Sequence, residues 1–291
     1  MKKVLVLGGT GMLGSPVARR LKADGFQVRL LARDLEKTRA TFGDASEGAA
    51  GFEIIPGDVT DLDSLEGALE GCAGVHVSVG GPVDRLSAAN VAALAPQSGL
   101  ERITYVSGAT VCEQNRWFPM VAQKLEAEKA VRECGTPYTI FCPTWPMEQL
   151  PRFARGGQPA IIGKHPTPLH WYAADDMARM VSTAYQKEEA ANKRLYVHGP
   201  QALTMKQALE RYCQTVYPDG KPVSAMPIWL AKVLGILTRN DMLKFASRLM
   251  AYFDQVGELG DPAQANRILG TPTTTLDEWI AGRKATDGAQ Q

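Results

Sequence analysis

The sequence is short of the features that define several broad classes of protein. Its 32 Lys and Arg face 31 Asp and Glu, a net charge of +1 over 291 residues, so nothing electrostatic favours a nucleic-acid or anionic-membrane partner. The five cysteines (Cys72, Cys112, Cys134, Cys142 and Cys213) are odd in number, scattered and never in a C-x-x-C pair. That pattern argues against a disulfide framework and a thiolate zinc site, predicts no metal centre, and suits reduced thiols in the cytoplasm. Long apolar runs are missing as well. Met1-Lys2-Lys3 mimics the start of a signal peptide, but the apolar run behind it stops at Gly8, too short for the hydrophobic core of one. The stretch Ile228–Leu237 is strongly apolar, yet Lys232 interrupts it and it is too short to span a bilayer. It reads as a core or groove-lining helix. No internal repeat occurs at solenoid periods.

What is present is the composition of an ordinary globular chain, 45% hydrophobic and 22% charged, long enough for one large domain or two smaller ones. Residues 4–7 are continuously apolar, as in a strand buried on both faces of a parallel sheet. Residues 12–24 place Leu13, Val17, Ala18 and Leu21 at helical spacing. Strands are predicted at 28–32, 52–55, 75–79, 102–106 and 138–142, and helices near 62–69, 84–96 and 118–134. Such alternation implies βαβ units in an α/β, doubly wound parallel sheet with helices on both faces. After Pro143 the rhythm changes, with prolines at 146, 151, 159, 166 and 168. Short strands are predicted at 160–162 and 169–172, then a helix capped by Asp175 or Asp176 and running to Gln186, and a strand at 195–198. Beyond Leu203 the pattern is mostly helical, with Leu243, Ala246, Leu249, Met250 and Phe253 on one stripe. Gln290 and Gln291 end a tail expected to fray. The predicted division is a nucleotide-binding domain over 1–144, its sheet completed from 168–198, and a smaller, intertwined, mostly helical substrate region over 145–285.

The informative local motif is KVLVLGGTGMLG at residues 3–14. A strand runs into Gly8, Gly11 and Gly14, and a helix follows. In a dinucleotide site Gly8 permits the tight turn, Gly11 admits the pyrophosphate to the backbone and Gly14 lets helix and strand pack closely. Thr10, Met12 and Leu13 share that loop, and the helix start offers N–H groups to the anion. An ordinary strand-to-helix turn is the competing reading.

GGTGMLG, LLARD at the end of the second strand and PGDVTD after the third together resemble the atypical short-chain dehydrogenase/reductases, best of all their NmrA-like and isoflavone-reductase-like branch. The resemblance runs from Lys2 to about Gln186, more weakly to Trp279. It implies a Rossmann-type domain and a set of site residues. Arg33 stands where NAD-preferring proteins carry an acid, and a guanidinium there suits the 2′-phosphate of NADP. A solvated surface arginine is the alternative, and Asp34 turned inward would favour NAD. Asp58 and Val59 match the adenine-binding position, although Asp58 could instead cap a helix, for which Asp61 is better placed. Val79 and Gly80 would pass beside the cofactor ribose. Ser107, in TYVSGAT, matches the serine that polarises a substrate carbonyl, or else it caps a turn. In the family's Tyr-x-x-x-Lys pair, Lys124 aligns with the lysine while Met120 fills the tyrosine position. A thioether cannot donate a proton. Lys124 also fits a surface lysine paired with Glu128 at i+4. Pro143 would line the nicotinamide, and Cys142 replaces a common arginine. We read Cys142 as buried and apolar, with nothing cationic flanking it to activate a thiolate. His165, His170, Tyr172 and Tyr105 are the alternative acids, the loop histidines being otherwise exposed polar surface.

The resemblance implies an NADPH-dependent reductase of a small apolar carbonyl, enone or quinone, with Lys124 and Ser107 catalytic, NAD a possible substitute, and no nucleic acid or membrane span. Trp145, Met147, Phe153, Trp171 and Trp229 would be pocket wall or core. The missing tyrosine equally allows a non-catalytic NAD(P)-binding redox sensor or assembly factor. It disfavours a nucleotide-sugar epimerase or dehydratase.

Overall fold

The structure is a computed structural model that describes residues 1–43, 51–154 and 157–288, with 284–288 described through their backbone. Gln290 and Gln291, where fraying is expected, lie outside the described residues. In chain order the first half runs β1 (Lys3–Leu7), α1 (Gly14–Ala23), β2 (Gln27–Ala32), α2 (Leu35–Phe42), β3 (Glu53–Pro56), α3 (Leu62–Leu69), β4 (Gly74–Val77), α4 (Asp84–Leu94), β5 (Arg102–Val106), α5 (Pro119–Glu133) and β6 (Tyr138–Pro143). The second half runs α6 (Leu150–Phe153), β7 (Ala160–Ile162), β8 (Leu169–Trp171), α7 (Ala174–Gln186), β9 (Lys193–Val197), β10 (Gln201–Leu203), α8 (Met205–Val216), β11 (Ser224–Met226), α9 (Ile228–Leu237), α10 (Asp241–Val256), α11 (Ala263–Leu269) and α12 (Leu276–Gly288).

Two units follow from this chain. The first comprises Met1–Pro143, Ala174–Val197 and Asp261–Thr271. Its seven strands form one sheet, ordered β3-β2-β1-β4-β5-β6-β9, with every pairing parallel. The central strands are buried on both faces because helices cover both; one face is apolar, and the other carries the buried polar residues His76, Thr104 and Thr139 of β4, β5 and β6. Leu5, Val75, Ile103 and Ile140 are completely buried against Leu65 and Leu69 of α3, Val91 of α4 and Val131 of α5. On the opposite face α1 packs against α7, and α1 buries Val17, Ala18 and Leu21 at i, i+1 and i+4. The α/β class and the doubly wound sheet are therefore as the alternation of elements implies.

Three local expectations are corrected. The apolar pattern contains no sign of α2, because that helix buries one side chain, Thr38; its start is set by Asp34, whose carboxylate accepts the Lys37 N–H. Asp175 and Asp176 lie inside the first turn of α7, not before it, so they favour the helix through its dipole instead of capping it. The fourth strand ends at Val77, two residues early. Asp61 does cap α3, accepting the Asp63 N–H at 3.2 Å.

The second unit takes Thr144–Ala173, His198–Gly260 and the chain from Pro272 on. Two small sheets, β8 with β10 and β7 with β11, accompany its helices. Met147, Leu150, Trp171, Leu209, Leu276 and Ile280 build its core. A capping box between Thr204 and Gln207 starts α8. Of the two expected readings of α9, core or groove-lining, the first does not hold. Only Ala231 and Gly235 are buried, the small residues on which α10 closes, and Trp229, Val233, Ile236 and Leu237 are exposed. No helix among the described residues is long and apolar enough to cross a membrane.

Candidate dinucleotide site

The parallel register aligns Leu7 with Val77, Val77 with Tyr105 and Tyr105 with Ile140, so the carboxyl ends of β1, β4, β5 and β6 share one edge of the sheet. Ligands of open α/β sheets bind beyond that edge. At the end of β1, Gly8 has φ +80°, and a Cβ there would come within 2.5 Å of the Ser78 carbonyl oxygen. A Cβ on Gly14 would come within 2.1 Å of the Gly8 oxygen. Both positions therefore demand glycine, the first for its turn and the second for helix–strand contact. The Gly11 N–H donates to Gly8 O at 2.9 Å, and its missing Cβ would meet only that oxygen, leaving its outer side open. Leu13 precedes α1 with no side-chain cap, and no acid lies in the first turn. The Ser15 N–H donates to Gly11 O at 3.0 Å and Pro16 has no N–H, so what this helix start holds out to an anion is chiefly the positive pole of its dipole. A cradle that a Cβ would fill, joined to an uncapped helix start, fits a pyrophosphate.

A cavity of about 440 Å³ adjoins this turn. Of the expected residues it brings together Gly8, Thr10, Arg33, Val59 and Val79. Sequence reasoning missed Lys37, which also lines it and which sits on the unexpected helix α2; four residues on from Arg33, it supplies a second cation. Asp34 lines the cavity as well, with its Oδ1 accepting the Lys37 N–H at 2.9 Å as the α2 cap. Asp58 lies outside the lining. Its Oδ1 accepts from both the N–H and the hydroxyl of Thr60 at 2.8 Å, and those bonds, aided by Arg33, hold its carboxyl below the usual range. Gly80 has open space where its Cβ would be. Met12, Leu13 and Gly14 belong to the helix start.

Farther along the edge, Lys124 and Ser107 occupy distinct networks. Lys124 Nζ lies 3.1 Å from Asp84 Oδ1, donates to Val106 O at 2.7 Å and sits over the Tyr105 ring. Asp84, 4% exposed, also accepts the Tyr105 hydroxyl at 2.9 Å. This carboxylate carries no local sequence signal; only the fold brings it to Lys124. The i+4 pairing of Lys124 with Glu128 does not form. Glu128 is buried, accepts the Ser107 hydroxyl at 2.5 Å and pairs with Arg194 Nε at 2.9 Å. A serine hydroxyl has one hydrogen; that of Ser107 is directed at Glu128, not at a carbonyl beyond the strand. Met120, one turn before Lys124, is half-buried. Pro143 closes β6, its carbonyl accepting the Ala109 N–H at 2.9 Å.

The alternative acids are all engaged or enclosed. Burial and the Asp84 carboxylate push the Tyr105 phenol far up. Burial does the same to Tyr172, which is 0% exposed. His165 is buried instead of being exposed loop surface, with Nε2 on Ile162 O at 2.7 Å and Nδ1 facing Asp254. His170 Nδ1 lies 2.6 Å from Glu258 Oε1. Cys142 is fully buried and burial pushes its thiol up, but Arg194 and Lys124 do act on it in the opposite sense; the expectation of no nearby cation is corrected, and desolvation outweighs them. Among the expected pocket-wall residues, Met147 and Trp171 are core, Trp145 meets Trp171 at a tilt and Phe253 edge-on, and Trp229 is exposed.

Residues 1–280 match the NmrA-like family. A (4-alkanoyl-5-oxo-2,5-dihydrofuran-3-yl)methyl phosphate reductase of Streptomyces griseus subsp. griseus is 28% identical over 207 residues, 70% of each chain. The photosystem II assembly factor Ycf39 of Trieres chinensis is 23% identical across 95% of this chain and 91% of its own. Among solved structures, the NADPH-dependent quinone oxidoreductase QOR2 of Escherichia coli, complexed with NADPH, superposes with a TM-score of 0.74 at 21% identity, covering 96% of this chain and 99% of that one. That last likeness is one of fold.

Proposed function

Because this chain belongs to the NmrA-like family, we propose that it is an NADPH-dependent reductase of a small apolar carbonyl, enone or quinone. The observation that carries the reading is the glycine cradle opening on a cavity that Arg33 and Lys37 line together. Gly8, Thr10, Gly11, Met12, Leu13 and Gly14 would hold the pyrophosphate, and Val59, Val79 and Gly80 the adenosine half, with Arg33 and Lys37 paired to the 2′-phosphate. Asp58 would act through its turn with Thr60. Bound there, the dinucleotide supplies hydride. The substrate class draws support from the Streptomyces reductase, named for a conjugated furanone, and from the quinone oxidoreductase.

Lys124 is the one expected catalytic group whose donor capacity is incompletely used. Asp84 and Val106 O engage two of its three N–H groups; the third is available to a ribose hydroxyl or to negative charge developing on a substrate oxygen. Met120 cannot supply a proton, so Lys124 or a water it orients must do so. Ser107 acts as a positioning residue, tying the end of β5 to α5 through Glu128.

The test is NADPH oxidation against a panel of carbonyls, enones and quinones, with NADPH and NADH affinities measured alongside. Turnover lost in Lys124→Ala with nucleotide affinity kept supports the reading. Tight NADPH binding without turnover on any member of the panel favours a second one, a non-catalytic nucleotide-binding assembly factor. Two observations argue for that second reading: Met120 in the tyrosine position, and the face of α9 and α10 that exposes Trp229, Ile236, Leu237, Met242 and Phe245. Its relative Ycf39 is named for assembly.

A further inference from the structure

The second unit gathers two of the chain's four histidines around one carboxylate. His170 in β8 and His198 stack with ring centroids 5.5 Å apart and planes 23° from parallel. Both turn Nδ1 toward the same oxygen, Glu258 Oε1, at 2.6 Å and 3.4 Å. One donor atom from each of the three residues lies within 4.8 Å of the others. We propose that His170, His198 and Glu258 form a site for a single divalent transition cation of the Zn²⁺ class.

The donor set selects the ligand. Two imidazoles and one carboxylate suit Zn²⁺, Co²⁺, Ni²⁺ or Fe²⁺, whereas Mg²⁺ and Ca²⁺ prefer all-oxygen sites. The surroundings do what outer partners of a metal ligand do. His198 Nε2 donates to the Leu259 carbonyl at 3.3 Å, which fixes the ring with Nδ1 toward Glu258. Glu258 is held by its second oxygen, which accepts the His170 backbone N–H at 2.6 Å. His170 is fixed in turn by pairing of β8 with β10, where it faces Ala202, and by the Thr144 hydroxyl and Gly199 N–H on its carbonyl. His198 and Glu258 are 7% and 13% exposed, while His170 is 40% exposed. The cluster is thus anchored from inside and reachable from one side, leaving coordination positions for water.

Metal–ligand bonds of about 2.0–2.2 Å require the 2.6 Å contact to open and the longer separations to close, which side-chain rotation of the exposed His170 allows. The proton shared by His170 Nδ1 and Glu258 has to leave: the cation takes the imidazole lone pair and the carboxylate oxygen, and the proton passes to buffer. Affinity should therefore fall as pH falls.

The experiment uses untagged, EDTA-dialysed full-length chain titrated with ZnCl₂ by calorimetry in two buffers of different ionisation heat, and with CoCl₂ by visible absorption. One equivalent should bind with a Kd of about 10 μM or tighter, with proton release and a cobalt d–d band. His170→Ala and Glu258→Gln, each checked by thermal melt, should weaken binding by about tenfold or more, and MgCl₂ should produce no heat. Absence of saturable Zn²⁺ binding overturns the site, as does binding unchanged in the folded variants. None of these readouts depends on nucleotide binding or turnover, so failure here leaves the reductase reading standing, and the reverse.

Discussion

Lys124 reaches across from α5 to Asp84 at the start of α4, 3.1 Å away, while Glu128, one turn along its own helix, faces Ser107 and Arg194 instead. Sequence distance is a poor guide here, since the two partners are 40 residues apart. If Asp84 holds the ammonium in place, the two residues are energetically coupled. We expect Asp84→Asn to cost about 1–3 kcal/mol in a urea melt, because a partly buried cation loses its counter-charge while the Tyr105 hydroxyl keeps an acceptor. In a Lys124→Met background the same change should cost at least about 0.5 kcal/mol less. Strict additivity in the double-mutant cycle is the result that refutes the coupling.

Two glycines to alanine should move stability in opposite directions. A Cβ on Gly14 would lie 2.1 Å from the Gly8 carbonyl oxygen, backbone that cannot step aside without opening the turn. Gly14→Ala should lower the urea midpoint, by about 1–3 kcal/mol in free energy, and NADPH titrations should show weaker binding. Gly67, exposed on α3, has nothing within 4 Å of an added Cβ. Gly67→Ala should stabilise by about 0.5–1 kcal/mol and leave the nucleotide affinity unchanged.

If Arg33 and Lys37 hold the 2′-phosphate, as proposed, cofactor choice rests on them. Both line the cavity beside the glycine turn, as does Asp34, whose Oδ1 caps α2. Removing either cation should weaken NADPH by about tenfold, roughly 1.4 kcal/mol, with NADH altered far less. Fluorescence titrations of Arg33→Ala and Lys37→Ala with both nucleotides measure the ratio. An equal loss for the two nucleotides would falsify a 2′-phosphate contact.

These cases show where the sequence could be read and where it could not. A strand such as β1 announces itself because both faces are buried and Val4 to Leu7 are continuously apolar. Helix α2 does not, having Thr38 as its one buried residue; Asp34 was the available signal, and it had been weighed as a cofactor contact instead. Gly8 and Arg33 directly follow recognisable strands, and Lys124 stood out through the resemblance to a Tyr-x-x-x-Lys pair. Asp84 and Glu128 were not, because a buried acid has no periodicity and its partners come from other strands and helices. The apolar run of α9 misled for a related reason. Hydrophobicity alone does not separate a core helix from one that packs through Ala231 and Gly235 and turns its larger residues outward.

His76 provides a pH test of the first unit's core. Its ring is 0% exposed in β4, with Nδ1 2.8 Å from the Thr104 hydroxyl and Nε2 without a partner among the described residues. Burial drives its pKa down from 6.5 to about 3, because charging the ring in that setting forfeits hydration. The unfolded chain binds a proton near pH 6.5 and the folded chain does not until about pH 3. Between those limits the unfolded state holds more protons, so stability falls as pH falls, by about 1.4 kcal/mol per unit. Below about pH 3 both states carry the proton and this loss stops growing. Carboxylates whose pKa folding lowers, Glu53 and Asp58 among them, also make the fold less stable in acid, so the contribution of His76 must be read as a difference. In His76→Leu the Thr104 hydroxyl keeps its bond to Tyr185 at 2.9 Å, and the unpartnered Nε2 is gone. Urea melts at pH 7 and pH 5 should show the variant gaining about 2 kcal/mol on the native chain over that interval. Parallel pH profiles for the two proteins would mean that the ring is protonated in the folded state, or is not enclosed at all.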